Sequence, residues 1–288
     1  MSRRVAVVTD STASLPAGVA EEFGVQVVPL YVMLNGEPGV ECPGGQGGVS
    51  PADVARALSD RRGTVQTSRA RPEDFVATFR SAFDRGAAGV VAVLMSGALS
   101  GTYESGVLAA QQCRGEPQAR VVDSRSAAMG VGFAAIAAAE AARAGGSLDE
   151  VYDAAAQTVA RTTSLFYVDT LEHLRRGGRI GTAQALLGTA LSVKPILTVA
   201  EGSIVLKEKV RTTSRALARL EALAAEAAGE CTVDIAVHHL AAENKAATLA
   251  ARLTDRLPRL NRLYVSELGA TIGAHVGPGA LGVVVARR

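Results

Sequence analysis

The chain has 288 residues, 48% hydrophobic and 20% charged, and its 30 Lys and Arg against 28 Asp and Glu leave a net charge of +2. That length allows one large or two ordinary domains with a sizeable core, and the balanced charge excludes a function driven by a basic surface, so neither nucleic acid nor an anionic membrane is an expected partner. Three widely spaced cysteines, Cys42, Cys113 and Cys231, make neither a disulfide framework nor a zinc pattern and fit a reduced, cytoplasmic setting.

From the N-terminus, "RVAVVT" (4–9) reads as a first strand, since its apolar stretch is too short for a secretion signal. "VQVVPLYV" (25–32), "GVVAVLM" (89–95) and "ARVVD" (119–123) follow as strands, with helices near 16–23, 51–60, 72–85 and 101–112. This alternation predicts an α/β unit with a largely parallel sheet. Two Ala-rich helices, 126–144 and 148–160, come next. The first carries Glu140 and Arg143 and is too short in apolar residues to span a membrane, so no stable insertion is expected. Beyond Thr163 the pattern becomes mixed: "SLFYVDT", a short helix "LEHLRRGG", another ending near Leu191, and a hairpin "SVKPILTVAEGSIVLKEKV" turning at Glu-Gly. A helix at 212–228, "TVDIAVHH", a helix at 242–256, "RLYVSEL" and a terminal strand "LGVVVARR" complete an α+β second region. The run "PGGQGG" (43–48) reads as a surface loop.

Hydroxyl-rich turns follow several strands. In "VVTDSTASLP", Asp10, Ser11 and Thr12 either cap the next helix or touch a ligand at the carboxyl end of the sheet. In "TVQTSRARPEDF", Thr67 and Ser68 precede a helix that opens at Pro72 with Glu73 and Asp74 suited to its dipole. "MSGALSGTYES" (95–105) sets Ser96, Ser100 and Thr102 beside Gly97 and Gly101, but it is not the G-x-S-x-G elbow of a nucleophile, so its hydroxyls read as holders. "MGVGFAA" (129–135) matches G-x-G-x-x-A without the following acidic strand, and small-residue helix packing explains it better than a dinucleotide. In "VDTLEHLRRGGRIG", Arg175 and Arg176 suit a solvated helix end, whereas Arg179 follows a Gly-Gly stop and is aimed by the turn. His238 and His239 read as structural. His275 sits among four glycines and a proline, as in a loop over a pocket, and no His spacing fits a metal site.

These pieces in this order resemble the DegV family of bacterial fatty-acid-binding proteins. The likeness rests on "TDSTASLP", the "TS" of "QTSRARPEDF", "SGALSGTYES", "VVDSRSAAMGVG", "YVDTLEHLRRGGRIG", "LSVKPIL", "KVRT" and "IGAHVGPGALGV", and spans nearly the whole chain. The resemblance implies a two-domain α/β fold: an N-terminal, mostly parallel domain over 1–161 and a C-terminal α/β domain with an antiparallel hairpin over 162–288. One long-chain fatty acid would lie between them, presented to a separate ATP-using fatty acid kinase subunit that makes the acyl phosphate for phospholipid synthesis. This chain would then hold no catalytic residue, metal or cofactor of its own. Carried over by position, Thr67, Ser68, Ser96, Gly97 and His275 would bind the carboxylate, with Arg179 and Arg211 near the head group or facing the kinase. The chain departs from the family pattern at Gly97, commonly a second serine, at Ala274, usually threonine, and at Arg69-Ala70-Arg71, which adds two positive charges near the mouth. Two other readings stand beside it: a serine hydrolase using Ser96 or Ser100 with His275 and an acid such as Asp10 or Asp169, and a lipid sensor with no kinase partner. Acyl length and oligomeric state are not written in the pattern.

Overall fold

A computed structural model describes residues 4–41, 48–60, 62–113, 115, 117–186 and 194–288. Cys42, most of the 43–48 loop and the end of the helix expected near Leu191 lie outside the described residues.

In chain order the first part contains β1 (Val5–Asp10), α1 (Val19–Phe23), β2 (Val25–Val28), β3 (Tyr31–Leu34), β4 (Glu37–Val40), α2 (Pro51–Ser59), β5 (Val65–Ser68), α3 (Pro72–Asp84), β6 (Gly89–Leu94), α4 (Thr102–Gln112), β7 (Gln118–Asp123), α5 (Met129–Arg143) and α6 (Leu148–Ala160). Strands β2-β1-β6-β7 form a parallel sheet. Its central strand β6 is buried along its whole length, as a continuous apolar run in a doubly covered sheet should be.

The run at 25–32 is two strands, not one. Pro29 interrupts it, and β3 leaves the parallel sheet to pair antiparallel with β4 and β5 in a small separate sheet. Thr67 and Ser68 accordingly close an edge strand. The helix after them starts as its sequence requires: Pro72 stands at its first turn, and the Asp74 carboxylate accepts the Arg71 backbone N–H at 3.1 Å.

The second part contains β8 (Thr162–Tyr167), α7 (Glu172–Arg176), β9 (Lys194–Ala200), β10 (Ser203–Val210), α8 (Thr213–Ala228), β11 (Val233–His239), α9 (Glu243–Arg256), β12 (Leu260–Glu267), α10 (Ala270–Val276) and β13 (Leu281–Arg287). Its six-stranded sheet runs β10-β9-β8-β13-β11-β12, antiparallel except between β11 and β12. The hairpin turn is the expected Glu-Gly pair, with positive φ at Glu201 and Gly202. Strands β4 and β5 escaped the sequence, and so did the His275 segment, which is a short helix, α10, not a loop.

Helix α5 explains how the two sheets meet. Apolar on nearly every side, it is buried almost throughout, and its core extends from the parallel sheet to Ala236, Val284 and Ala286 of the second. Helix α5 packs along α6, and the two glycines of its first turn, Gly130 and Gly132, face Ser126 and Ser164, and Met129, Leu15 and Ala13, respectively. A Cβ at Gly130 would stand 2.0 Å from Ser126 Oγ, and one at Gly132 2.4 Å from Met129 Sδ. Among the described residues no helix is long and apolar enough to cross a membrane.

Candidate functional site

An apolar cavity opens between the two sheets at the N-terminal end of α5, enclosing about 970 Å³ of empty space, its open mouth included. Its floor is the inner face of β8, β11 and β13. Val199 and Ile204 of the hairpin, Met95 and Leu99 after β6, and Ile272 and Val276 of α10 supply much of the rest. Most of the wall is hydrocarbon. Most of its polar groups gather at one cluster, Thr67, Ser68 and Arg69 from the end of β5, Ser100, Arg179, and His275 from α10, with Ser164, His238 and Thr271 elsewhere on the wall.

Within that cluster the central contact joins residues 208 positions apart, with Thr67 Oγ1 at 2.9 Å from His275 Nε2. Burial, reinforced by the positive charge of Arg179, lowers the His275 pKa to about 4, so the imidazole is neutral at physiological pH. Its other nitrogen, Nδ1, is buried without a hydrogen-bond partner, and it packs so closely on Gly177 that a Cβ there would stand 2.1 Å away. A buried N–H without an acceptor costs more than a bare lone pair, so the favoured tautomer carries its proton on Nε2 and donates it to Thr67. The threonine hydroxyl then keeps its own proton to give.

Arg179 is held by main chain, donating from Nε to Leu99 O at 2.9 Å and from Nη1 to Gly177 O at 2.6 Å. The first bond ties the turn after α7 to the loop after β6, and the second braces the turn itself. Helix α10 is anchored from behind by Glu41, which sequence reasoning missed. Its buried carboxyl group accepts from the backbone N–H of Thr271 at 2.9 Å and from the Thr271 hydroxyl at 2.8 Å, and the Ser11 hydroxyl also donates to it. No local pattern marks a cap supplied 230 positions away. Ser11 is thus structural, as is Asp10, whose carboxyl receives the N–H groups of Thr12 and Met95 and the Thr12 hydroxyl. Burial raises Asp10 to about pKa 6 against those hydrogen bonds.

Two residues expected at the carboxylate, Ser96 and Gly97, stand elsewhere, and a third, Arg211, expected near the head group or facing the kinase, lies away from the cavity. Ser96 is completely buried, but its hydroxyl donates to Gly202 O at 2.7 Å and accepts the Ala98 N–H at 3.2 Å, so it fastens the hairpin turn and does not line the cavity. The Gly97 N–H is turned to Asp123 Oδ1 at 3.3 Å. Arg211 follows β10 on the exposed surface, outside the cavity wall. The relay required of a hydrolase is not formed by its candidates either. Ser100 Oγ pairs with Thr102 Oγ1 at 2.9 Å, Asp169 pairs with Tyr167 and Lys194, and His275 meets Thr67 rather than a serine.

His238 also reaches the cavity floor. Its Nε2 accepts the Met129 N–H at 3.2 Å, and Nδ1 lies 3.1 Å from Ser266 Oγ. Both nitrogens are used, which fits the structural role read from the sequence. Arg71, one of the two added charges, is occupied by Asp74 and lies over the Tyr31 ring, whereas Arg69 reaches the cavity wall. Among the described residues no group of three or more His, Cys, Asp or Glu side chains is placed to hold a metal ion.

Comparison with known proteins gives a single picture. A family model described as "Uncharacterised protein, DegV family" matches residues 4–288. A DegV domain-containing protein of Streptomyces coelicolor is 53% identical over 291 residues, covering 100% of both chains. Among solved structures, "Fatty Acid Binding of a DegV family Protein from Thermus thermophilus" superposes with a TM-score of 0.92 at 33% identity, covering 99% of this chain and 100% of that one. "DegV, a fatty acid binding protein from Bacillus subtilis" gives 0.88 at 30% identity, with 100% of each chain covered. Both share the parallel sheet in the N-terminal part and the mixed sheet in the C-terminal part.

Proposed function

The chain belongs to the DegV family, and from that premise we propose that it binds one long-chain fatty acid in the cavity and presents the carboxylate to a separate ATP-dependent fatty acid kinase. The observation that carries this reading is the Thr67–His275 pair at the polar end of a largely apolar cavity. An acyl chain needs hydrocarbon walls, each methylene removed from water contributing about 0.8 kcal/mol, and its head needs a few fixed donors. Thr67, polarised by neutral His275, is one such donor. Ser68, on the same strand end, is a second. The reading divides the chain at 161/162 and puts the acid between the two parts, in a cytoplasmic protein that has no chemistry of its own to perform.

The donor types suit a carboxylate that must react afterwards. A bidentate guanidinium would hold it more firmly but would cover the oxygens a phosphoryl group has to reach. Arg179 has Nε and Nη1 committed to backbone carbonyls, so in this reading it supplies positive charge near the head group and keeps the mouth in shape. In this reading Ser96 and Gly97 drop out of the carboxylate site, Ser100 and Arg69 join its wall, and Arg211, exposed after β10, keeps only the kinase-facing role.

Native mass spectrometry of the gently purified protein, followed by denaturing extraction and lipid analysis, tests the binding step. One long-chain acid per chain supports it, and a clean ligand-free mass overturns it. The kinase step is tested with the loaded protein, a candidate kinase and ATP. Acyl phosphate that forms only when all three are present supports presentation, whereas lipid binding with no capture of a kinase returns the sensor reading.

A further inference from the structure

Resting on the fatty-acid reading, we infer that Gly282 is a specificity-determining residue that opens a one-sided notch in the cavity floor, for an acyl chain that protrudes sideways at that depth, by a cis double bond or a methyl branch. Gly282 lies inside β13, a central strand of the six-stranded sheet. Glycine there weakens a strand and offers no side chain to pack, and its usual reasons are a bulge, a bend, or the close approach of another group. No bulge is present, for the pairing of β13 with β8 and with β11 runs without a register shift through this position. Its φ is not in the left-handed region, so the backbone does not demand glycine.

Neither does the packing. A Cβ built on Gly282 would find Leu165 O at 3.5 Å, Phe166 Cβ at 3.6 Å and His238 Cβ at 3.7 Å, all ordinary contacts. This differs from Gly177, where protein fills the space. At Gly282 the space belongs to the cavity. Register places Gly282 directly between Phe166 on β8 and His238 on β11, two large cavity-lining residues, while the next row on that face is Ser164, Val284 and Ala236. The floor is therefore indented at one point with bulky side chains on either side. A straight saturated chain passes such an indentation without entering it. A chain with a lateral protrusion fills it and gains contact with the Phe166 and His238 flanks.

The test compares wild type, Gly282→Ala and Gly282→Val, each delipidated, for binding of stearic acid, oleic acid and a methyl-branched C18 acid, with thermal unfolding of each ligand-free protein. Gly282→Val is expected to weaken oleic or branched-acid binding tenfold or more and stearic acid binding threefold or less, with Gly282→Ala intermediate. Its ligand-free unfolding temperature should equal or exceed that of wild type, because valine suits a strand interior. The two protruding acids separate an unsaturated from a branched natural ligand, whichever loses more. Variants that bind all three acids as wild type does, or lose all three alike, overturn the inference and leave the fatty-acid reading standing. A wild type that takes up none of the acids overturns both.

Discussion

Two glycines and two histidines lock the head of the cavity together. Gly177, after α7, makes room for the His275 ring, and Gly277, after α10, makes room for His173, where a Cβ would lie 2.2 Å from the ring. The "HLRRGG" and "HVGPG" segments therefore interlock, each supplying a ring to the other's glycine. Gly177→Ala should push the His275 ring off Thr67 and cut fatty-acid affinity about as much as Thr67→Val, which keeps the shape and removes the hydroxyl. A lost hydrogen bond to a charged partner is worth about 1.5–3 kcal/mol, so a tenfold or larger loss is expected for both in a fluorescent fatty-acid displacement titration. A second consequence concerns acid. Burial lowers His238 to a pKa of about 4, so the unfolded chain takes up this proton below about pH 6.5 and the folded chain does not. Stability from this residue is present above that pH and is lost as pH falls to about 4, on the order of 3 kcal/mol. His275 acts in the same direction. Asp10, raised to about 6, opposes them, because the folded state holds its proton between about 4 and 6. Two histidines outweigh one aspartate, so chemical denaturation of the ligand-free protein should show stability falling between pH 6.5 and 4. His238→Gln should flatten that slope.

At the scale of elements, the β9–β10 hairpin is fastened at its turn to the other part of the chain. The Ser96 hydroxyl reaches Gly202 O, and the Arg125 guanidinium pairs with Glu201 on the exposed side. Ser96→Ala strands a buried carbonyl at a cost of about 1–3 kcal/mol. The expected result is a lower denaturation midpoint and faster amide exchange in the hairpin, with acyl preference unchanged; a direct carboxylate ligand would instead show lost binding at unchanged stability. This residue also marks where sequence legibility ends. Period and punctuation were enough for the parallel sheet, the hairpin with its Glu-Gly turn, and the helices from Pro51 to Ser59 and from Leu148 to Ala160, because those signals are local. The separate β4-β3-β5 sheet and helix α10 were not legible, since Pro29 reassigns a continuous apolar run and Glu41 caps α10 from across the fold. Hydroxyls were visible as a chemical type but their directions were not. Thr67 and Ser96 look alike in the chain, and the fold turns one into the cavity and the other onto a backbone carbonyl.

Over the whole molecule, α5 is the member that both sheets share. Ala127 and Ala128, which lead into it, border the cavity, while Glu140 near its far end receives Arg262 and Arg288 from the C-terminal part, each at 2.8 Å. Glu140, Arg262 and Arg288 are each about a third exposed, so the pairs contribute at most about 1 kcal/mol each and are weakened by salt. The apolar faces of α5 against Val284 and Ala286 hold the sheets together more strongly than these ions do. A ligand at the near end adds a third tie, since only the folded state presents the cavity. At a free concentration of one hundred times its Kd it adds about 2.7 kcal/mol. The cavity end and Glu140 are separated by roughly 16 Å of helix, at 1.5 Å per residue, and sites that far apart with no shared partner behave additively. Denaturant unfolding of wild type and Glu140→Gln, each with and without saturating fatty acid, is therefore expected to give the same ligand increment in both proteins, with the Glu140 effect fading at high salt. An increment that shrinks in the variant would mean instead that α5 carries strain from one end to the other, and that the ionic clamp governs how readily the cavity admits its ligand.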